Sequence, residues 1–118
     1  MSEDWARPLV AWEIEGKDAP KMTEFYSAMF NWPATGNKVK SFPAGIGAPD
    51  TGPASHVMPG QTSRIVPYIQ VLDLKTSMDR AVSMGGTVLR EIFGLPGRAA
   101  TFSWITDPEG NKIVLVQQ

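Results

Sequence analysis

The sequence predicts an α+β fold, in which one strand–helix–strands pattern is used twice and the helices cover one face of a curved sheet. Three observations lead there. The pattern recurs at a constant offset of 55 residues, so Ala11 maps to Val66, Ile14 to Ile69, Asp18 to Asp73 and Met29 to Met84. After each first strand comes an apolar stripe of helical period. The stretch 102–116 then reads as strand, tight turn, strand.

Residues 9–15 alternate as a strand, with Trp12 and Ile14 on one face and Ala11, Glu13 and Glu15 on the other. Asp18 is placed to cap a helix, and Pro20 suits its first turn. Met22, Phe25, Tyr26, Met29 and Phe30 follow at i, i+3, i+4, i+7 and i+8, one apolar stripe. Asn31, Trp32 and Pro33 end that helix, because the residue before a proline is pushed out of the helical region. Residues 41–63 are broken by Pro43, Gly45, Gly47, Pro49, Gly52, Pro53, Pro59 and Gly60. A short strand over 42–46 and otherwise a long surface loop are expected, either mobile or plainly packed on the surface, or serving as a lid. His56 falls in that loop, where an isolated histidine is ordinarily a surface residue.

The second half starts with a strand over 66–71. Pro67, Ile69 and Val71 share one face, and Val66, Tyr68 and Gln70 the other. Asp73 caps a helix carrying Leu74, Met78, Ala81 and Val82, and Gly85-Gly86 stops it, since glycine enters the left-handed region without strain. A strand over 87–91 and a turn at Gly94–Gly97 come next. In the closing hairpin Asp107-Pro108 opens the turn. Gly110 and Asn111 tolerate positive φ, and Ile113 to Val116 form a largely β-branched run.

At 118 residues this is a single domain, 1–118, of two small modules spanning about 8–60 and about 64–118. A chain of this size buries roughly 65% of its unfolded surface and needs no staples. It has no cysteine, which excludes disulfides and thiolate chemistry. The net charge is −1 with both signs interspersed, so no nucleic-acid partner is expected. No apolar run approaches the ~20 residues of a membrane span. The first residues lack the basic and apolar segments of a signal peptide, and a cytoplasmic location is expected. The single histidine lacks an identifiable nucleophile partner, and no G-x-G-x-x-G or Walker pattern occurs.

Three segments carry a family likeness: Trp12-Glu13-Ile14 with Asp18 and Phe25-Tyr26; residues 67–71 with Asp73 and Gly85-Gly86; and residues 107–115. Together they resemble the vicinal oxygen chelate superfamily, the glyoxalase, bleomycin-resistance and extradiol-dioxygenase group, over nearly the whole chain. The resemblance implies a glyoxalase-like domain of two βαβββ modules. Their curved mixed sheets would enclose a cavity, within one chain or across a homodimer, with the helices outside. In metal-dependent members the ligands lie on the concave faces. Three of the four ligand positions match Ala11, Val66 and Val114, which offer no lone pair. The fourth lies in the last strand of the first module, within the glycine- and proline-rich region, where the sequence does not align. No metal and no cofactor are therefore expected.

By alternation, the faces opposite the two helices line the implied cavity. They present Ala11, Glu13 and Glu15, then Val66, Tyr68 and Gln70, then Lys112, Val114 and Val116. Phe102 and Trp104 join them from the preceding strand. Ligand contacts are expected from Ala11, Glu13, Val66, Tyr68, Gln70, Phe102, Trp104 and Val114. This is an apolar, aromatic surface with a few polar anchors, the usual profile of a small-molecule site. Glu13 is the candidate catalytic residue. It either meets a ligand, as a counter-ion or a general base, or is a solvated carboxylate paired with Lys112 or Arg90.

The reading that follows is a metal-independent small-molecule binding protein of the glyoxalase and bleomycin-resistance type, forming a homodimer. The near-neutral charge argues against bleomycin itself. The alternative is a lyase, isomerase or dioxygenase using an atypical metal site or Glu13 as base. A third reading is an interaction module whose cavity is filled by its own side chains.

Overall fold

The computed structural model describes residues 6–36, 39–42 and 53–118. Its elements run β1 (Ala6–Gly16), α1 (Ala19–Phe30), β2 (Lys40–Phe42), β3 (Ala54–Pro59), β4 (Arg64–Val71), α2 (Leu74–Ser83), β5 (Thr87–Gly94), β6 (Thr101–Thr106) and β7 (Lys112–Gln117). Two helices with a mixture of parallel and antiparallel strands make this the expected α+β fold. The chain divides into two compact units, Val10–Val66 and Pro67–Gln118, the latter joined by the described residues up to Leu9. No helix among the described residues is long and apolar enough to cross a membrane.

In the Val10–Val66 unit the strand order is β2-β3-β1. β1 and β3 run parallel, with Glu13 opposite His56, and β2 pairs antiparallel with β3. The Asp18 carboxylate accepts from the Lys21 amide at 3.1 Å and caps α1 as expected. Asn31 closes the helix in the left-handed region at φ 57°, and the Ser27 hydroxyl donates to the Trp32 carbonyl at 2.7 Å. Ile14, Phe42 and Val57 are buried beneath α1, with Trp12, Met22, Tyr26 and Trp32 packed on them. Trp32 joins the rings: Tyr26 stacks on it at 6.2 Å, and Phe42 lies at 5.4 Å.

Two expectations for this unit change. Only Met22 and Tyr26 of the α1 stripe pack on that core. Phe25, Met29 and Phe30 are 57%, 65% and 48% exposed. Periodicity tells which residues share a helix face, not how much sheet lies beneath it. The expected loop, in turn, contains β3, which sits between its two neighbours. Its inward residues are Ser55 and Val57, both buried, and the small polar Ser55 weakens the alternation that marks a strand. Gly60 terminates this pairing by donating its amide to the Gly16 carbonyl at 2.8 Å. The predicted strand beyond Phe42 lies outside the described residues.

The Pro67–Gln118 unit repeats the plan, in the order β4-β7-β6-β5. β4 runs parallel to β7, and the remaining pairs are antiparallel. The Asp73 carboxylate accepts from the Thr76 amide and hydroxyl, and the Leu74 amide donates to Gln117 Oε1 at 2.8 Å. Leu74 and Met78 are buried among Val71, Ile105 and Leu115. Val82 lies 52% exposed, outside that core. The repeat seen in the sequence is thus structural. Asp18 and Asp73 are both helix caps, and Ile14 and Ile69 both face the helix side.

The closing turn is fastened by one side chain. Asp107 Oδ1 accepts from the amides of Glu109 and Asn111, each at 2.9 Å, and Oδ2 from Asn111 Nδ2 at 2.8 Å. Gly110 takes the positive φ, at 89°, and Asn111 serves through its amide instead. The Asn111 side chain, then the backbone amides, hold the Asp107 carboxyl below the usual carboxylate range. A carboxyl lowered in the folded state stabilises above its unfolded pKa, and that contribution is lost as pH falls through its folded value. Acidification below the normal aspartate range is therefore expected to loosen this turn before the α2 core. Amide hydrogen exchange at Gly110 and Asn111 checks it; equal acceleration in α2 would contradict it.

Candidate functional site

The face of the Val10–Val66 unit turned away from α1 carries an unusual set of charges. β1 directs Glu13 and Glu15 to it, and β3 brings His56 opposite Glu13. Glu13 Oε1 and His56 Nε2 are 3.0 Å apart. Glu13 is 3% exposed and the His56 side chain 18%. With the carboxylate ionised, the imidazole donates to it. Glu13 is thus not a solvated carboxylate, and His56 is a strand residue rather than a loop residue. Beside it, Arg64 Nε donates to Glu15 Oε1 at 2.7 Å. Gly60 allows this approach, because a Cβ there would lie 2.1 Å from Glu15 Oε2. Ala11, also on this face, is half-buried opposite Ala54, and Val66 is fully buried.

In the Pro67–Gln118 unit the face turned away from α2 is aromatic. Tyr68 aligns with Val114, which aligns with Trp104; Gln70 aligns with Val116, which aligns with Phe102. The alternation read from the sequence therefore brings these residues together. Val114, Val116 and Phe102 are buried, while Tyr68, Gln70 and Trp104 are partly exposed. Two residues that sequence reasoning missed complete the surface. Register shifts in β5 between Val88 and Arg90, and again before Phe93, set Arg90 opposite Trp104 and Phe93 opposite Phe102. A row of rings results. Tyr68 meets Phe102 edge-on at 6.5 Å, Phe102 stacks with Phe93 at 5.6 Å, and Phe93 meets Trp104 edge-on at 5.9 Å. The Arg90 guanidinium lies 3.6 Å from the Phe93 centroid, and the Lys112 ammonium 3.6 Å from that of Trp104. Such contacts are each worth about 0.5–2 kcal/mol, depending on desolvation. They hold two cations over an aromatic floor, a combination suited to flat ligands with an electron-rich end.

Residues 12–116 match the family model described as glyoxalase-like domain. The chain belongs to this family. A glyoxylase-like domain-containing protein of Didymella fabae is 33% identical over 108 residues, covering 84% of each chain. Among solved structures, a glyoxalase/bleomycin resistance protein/dioxygenase superfamily member from Vibrio splendidus 12B01 aligns with a TM-score of 0.66 at 10% identity, over 98% of this chain and 99% of that one. Methylmalonyl-CoA epimerase from Mycobacterium tuberculosis aligns at 0.64 and 16%, over 99% and 91%. The Mn(II)-bound glyoxalase from Novosphingobium aromaticivorans aligns at 0.65 and 16%, over 97% of this chain and 40% of that one. These likenesses establish the vicinal oxygen chelate fold and no reaction.

Membership sharpens the question of a metal. In this glyoxalase-like domain the 55-residue repeat maps Glu13 to Tyr68, and their partners across the parallel pairs are His56 and Val114. His56 is therefore the first-module counterpart of Val114, at the position that the sequence alone leaves unaligned. Of the residues that the resemblance places at ligand positions, Ala11, Val66 and Val114 offer no donor atom, and His56 offers one imidazole. This set does not fit a metal, which needs several converging donors. Among the described residues no group of three His, Cys, Asp or Glu converges to hold one.

Proposed function

We propose that this glyoxalase-like domain is a metal-independent binding protein for a small, flat organic molecule. The observation that carries the reading is the row of Tyr68, Phe102, Phe93 and Trp104, with Arg90 and Lys112 over its rings. Aromatic surface supplies most of the affinity, and the few polar groups orient the ligand. Gln70 offers an amide beside Val116 and Phe102, and Tyr68 a phenol. The protein works as a cytoplasmic homodimer in this reading, and light scattering of the purified protein tests its mass.

The test has two parts. Dialysis against Zn²⁺, Ni²⁺, Mn²⁺ and Fe²⁺, followed by elemental mass spectrometry, is expected to leave no stoichiometric metal. Titration with planar carboxylates, followed by tryptophan fluorescence, is expected to saturate. Trp104→Ala is expected to weaken that binding about five- to tenfold, the loss of an aromatic contact worth ~1 kcal/mol or slightly more. One metal per chain, or unchanged affinity in Trp104→Ala, would overturn the reading.

A second reading rests on the Glu13–His56 pair. A buried carboxylate oriented by an imidazole is equipped to take a proton from a carbon acid. The presence of an epimerase among the structures of similar fold makes proton abstraction beside an acyl carbonyl the reaction class to test. Glu13→Gln would then abolish deuterium exchange into such a substrate while leaving fluorescence binding intact. Exchange that persists in the variant would sink this second reading.

A further inference from the structure

A cleft of about 440 Å³ opens on the α1 side of the Val10–Val66 unit, lined by Ile14, Met22, Phe25, Tyr26 and Ile65 as well as by charged residues. It lies within the range of small-ligand pockets. It is separate from the ring surface, none of whose rings lines it, and it shares only the Glu15–Arg64 pair with the charged face of the Val10–Val66 unit.

The polar groups of the cleft divide sharply. Its two acidic side chains are already committed: Glu15 Oε1 accepts from Arg64 Nε at 2.7 Å, and Asp18 Oδ1 accepts from the Lys21 amide at 3.1 Å. Its donors are not. The terminal guanidinium nitrogens of Arg64, the Lys21 ammonium and the Tyr26 hydroxyl make no hydrogen bond or ion pair among the described residues. Glu15 is 8% exposed and the Arg64 side chain 34%, so the pair anchors the guanidinium at the wall of the cleft while part of it faces solvent. Uncommitted donors above an apolar lining call for a ligand that brings acceptors on an apolar body.

We propose that this cleft binds an organic monoanion, with its carboxylate between Arg64 and Lys21 and its apolar body against Met22, Phe25 and Ile65. The guanidinium fork holds a carboxylate in the geometry that Arg–carboxylate pairs adopt, and the lysine adds charge. The Met22 thioether gives the wall freedom to fit aliphatic or aromatic bodies. The site uses residues of Val10–Val66 alone and stands or falls separately from the ring surface.

The experiment is a two-dimensional NMR titration of the whole protein with decanoate and with 2-naphthoate. Saturable shifts are expected at Met22, Phe25, Ile65 and the Arg64 side chain. The stronger of the two anions shows whether the body is aliphatic or aromatic. Lys21 and Phe25 are exposed, so Lys21→Glu and Phe25→Ala fold normally; the first is expected to weaken binding at least fivefold and the second about threefold. Decanol, which keeps the body and lacks the charge, is expected to bind at least fivefold more weakly than decanoate. Shifts confined to Phe102 and Trp104 would overturn the proposal and leave the ring surface as the ligand site. Unchanged affinity in both variants, or no saturation by about 1 mM, the weak end of specific binding, would also overturn it. Loss of signal because two copies associate over Phe25 would overturn it too, in favour of a dimer contact.

Discussion

Phe42→Ala is expected to lower folding stability by about 3–5 kcal/mol, the range for removing a fully buried phenylalanine. Phe42 is 1% exposed, and it packs with Ile14 and Val57 under Trp32. Among the described residues β2 is three residues long and pairs with β3 at three positions. So short a strand is held less by its ladder than by the side chain it sends into the core. Truncation removes the transfer energy of the ring and leaves a cavity between elements that cannot close around it. Urea unfolding followed by circular dichroism measures the loss, and Trp32 emission is expected to shift to the red. A change below about 1 kcal/mol, the level of an ordinary surface substitution, would show that Phe42 is not part of this core.

Gly86→Ala is expected to cost about 1–3 kcal/mol. A Cβ at Gly86 would lie 2.4 Å from the Thr106 carbonyl oxygen and 3.1 Å from that of Ala81. Neither atom is the tip of a flexible side chain. The Ala81 carbonyl accepts from the Gly86 amide at 2.8 Å, and Thr106 is paired with Thr87 and with Lys112. The close approach seats the end of α2 against β6, so the added methyl separates the helix from its sheet. Gly94→Ala is the control. A Cβ there meets nothing within 4 Å, and its effect is expected to stay within about 0.5 kcal/mol. Equal melting temperatures for the two variants would refute the steric argument.

Local chemistry was legible in the sequence wherever a few neighbouring residues decide the outcome. Asp18 and Asp73 cap their helices because capping needs only a short side chain and an amide three residues on. The ring surface was half legible. Alternation places Tyr68, Phe102, Trp104 and Val114 on one face, but it assumes regular strands. The bulges in β5 break that assumption, so Phe93 arrives there unannounced and Arg90, expected only as a candidate partner of Glu13, lies over its ring. The Glu13–His56 pair was not legible at all. It depends on a parallel pairing between residues 43 apart, with one partner in a segment whose prolines and glycines argue for a loop. His56 is visible as the counterpart of Val114 only when the two parallel registers are compared. Helix stripes mislead in the other direction. They identify Met22 and Tyr26 correctly, and with equal strength Phe25 and Met29, which the core does not use.

The two parallel pairings also bear on how this chain emerges from a ribosome. β1 finds its partner β3 only after α1 and β2 have been made, and β4 waits for β7 through the whole of α2, β5 and β6. Neither first strand has a nearby hairpin partner, so each leaves an open edge during translation. Gln117, which holds the first amide of α2, is among the last residues of its unit to appear. Each first strand therefore waits for its parallel partner in turn, β1 until Ala54 is made and β4 until Lys112, and slow decoding in either interval would prolong the exposure of that edge to aggregation and to chaperones.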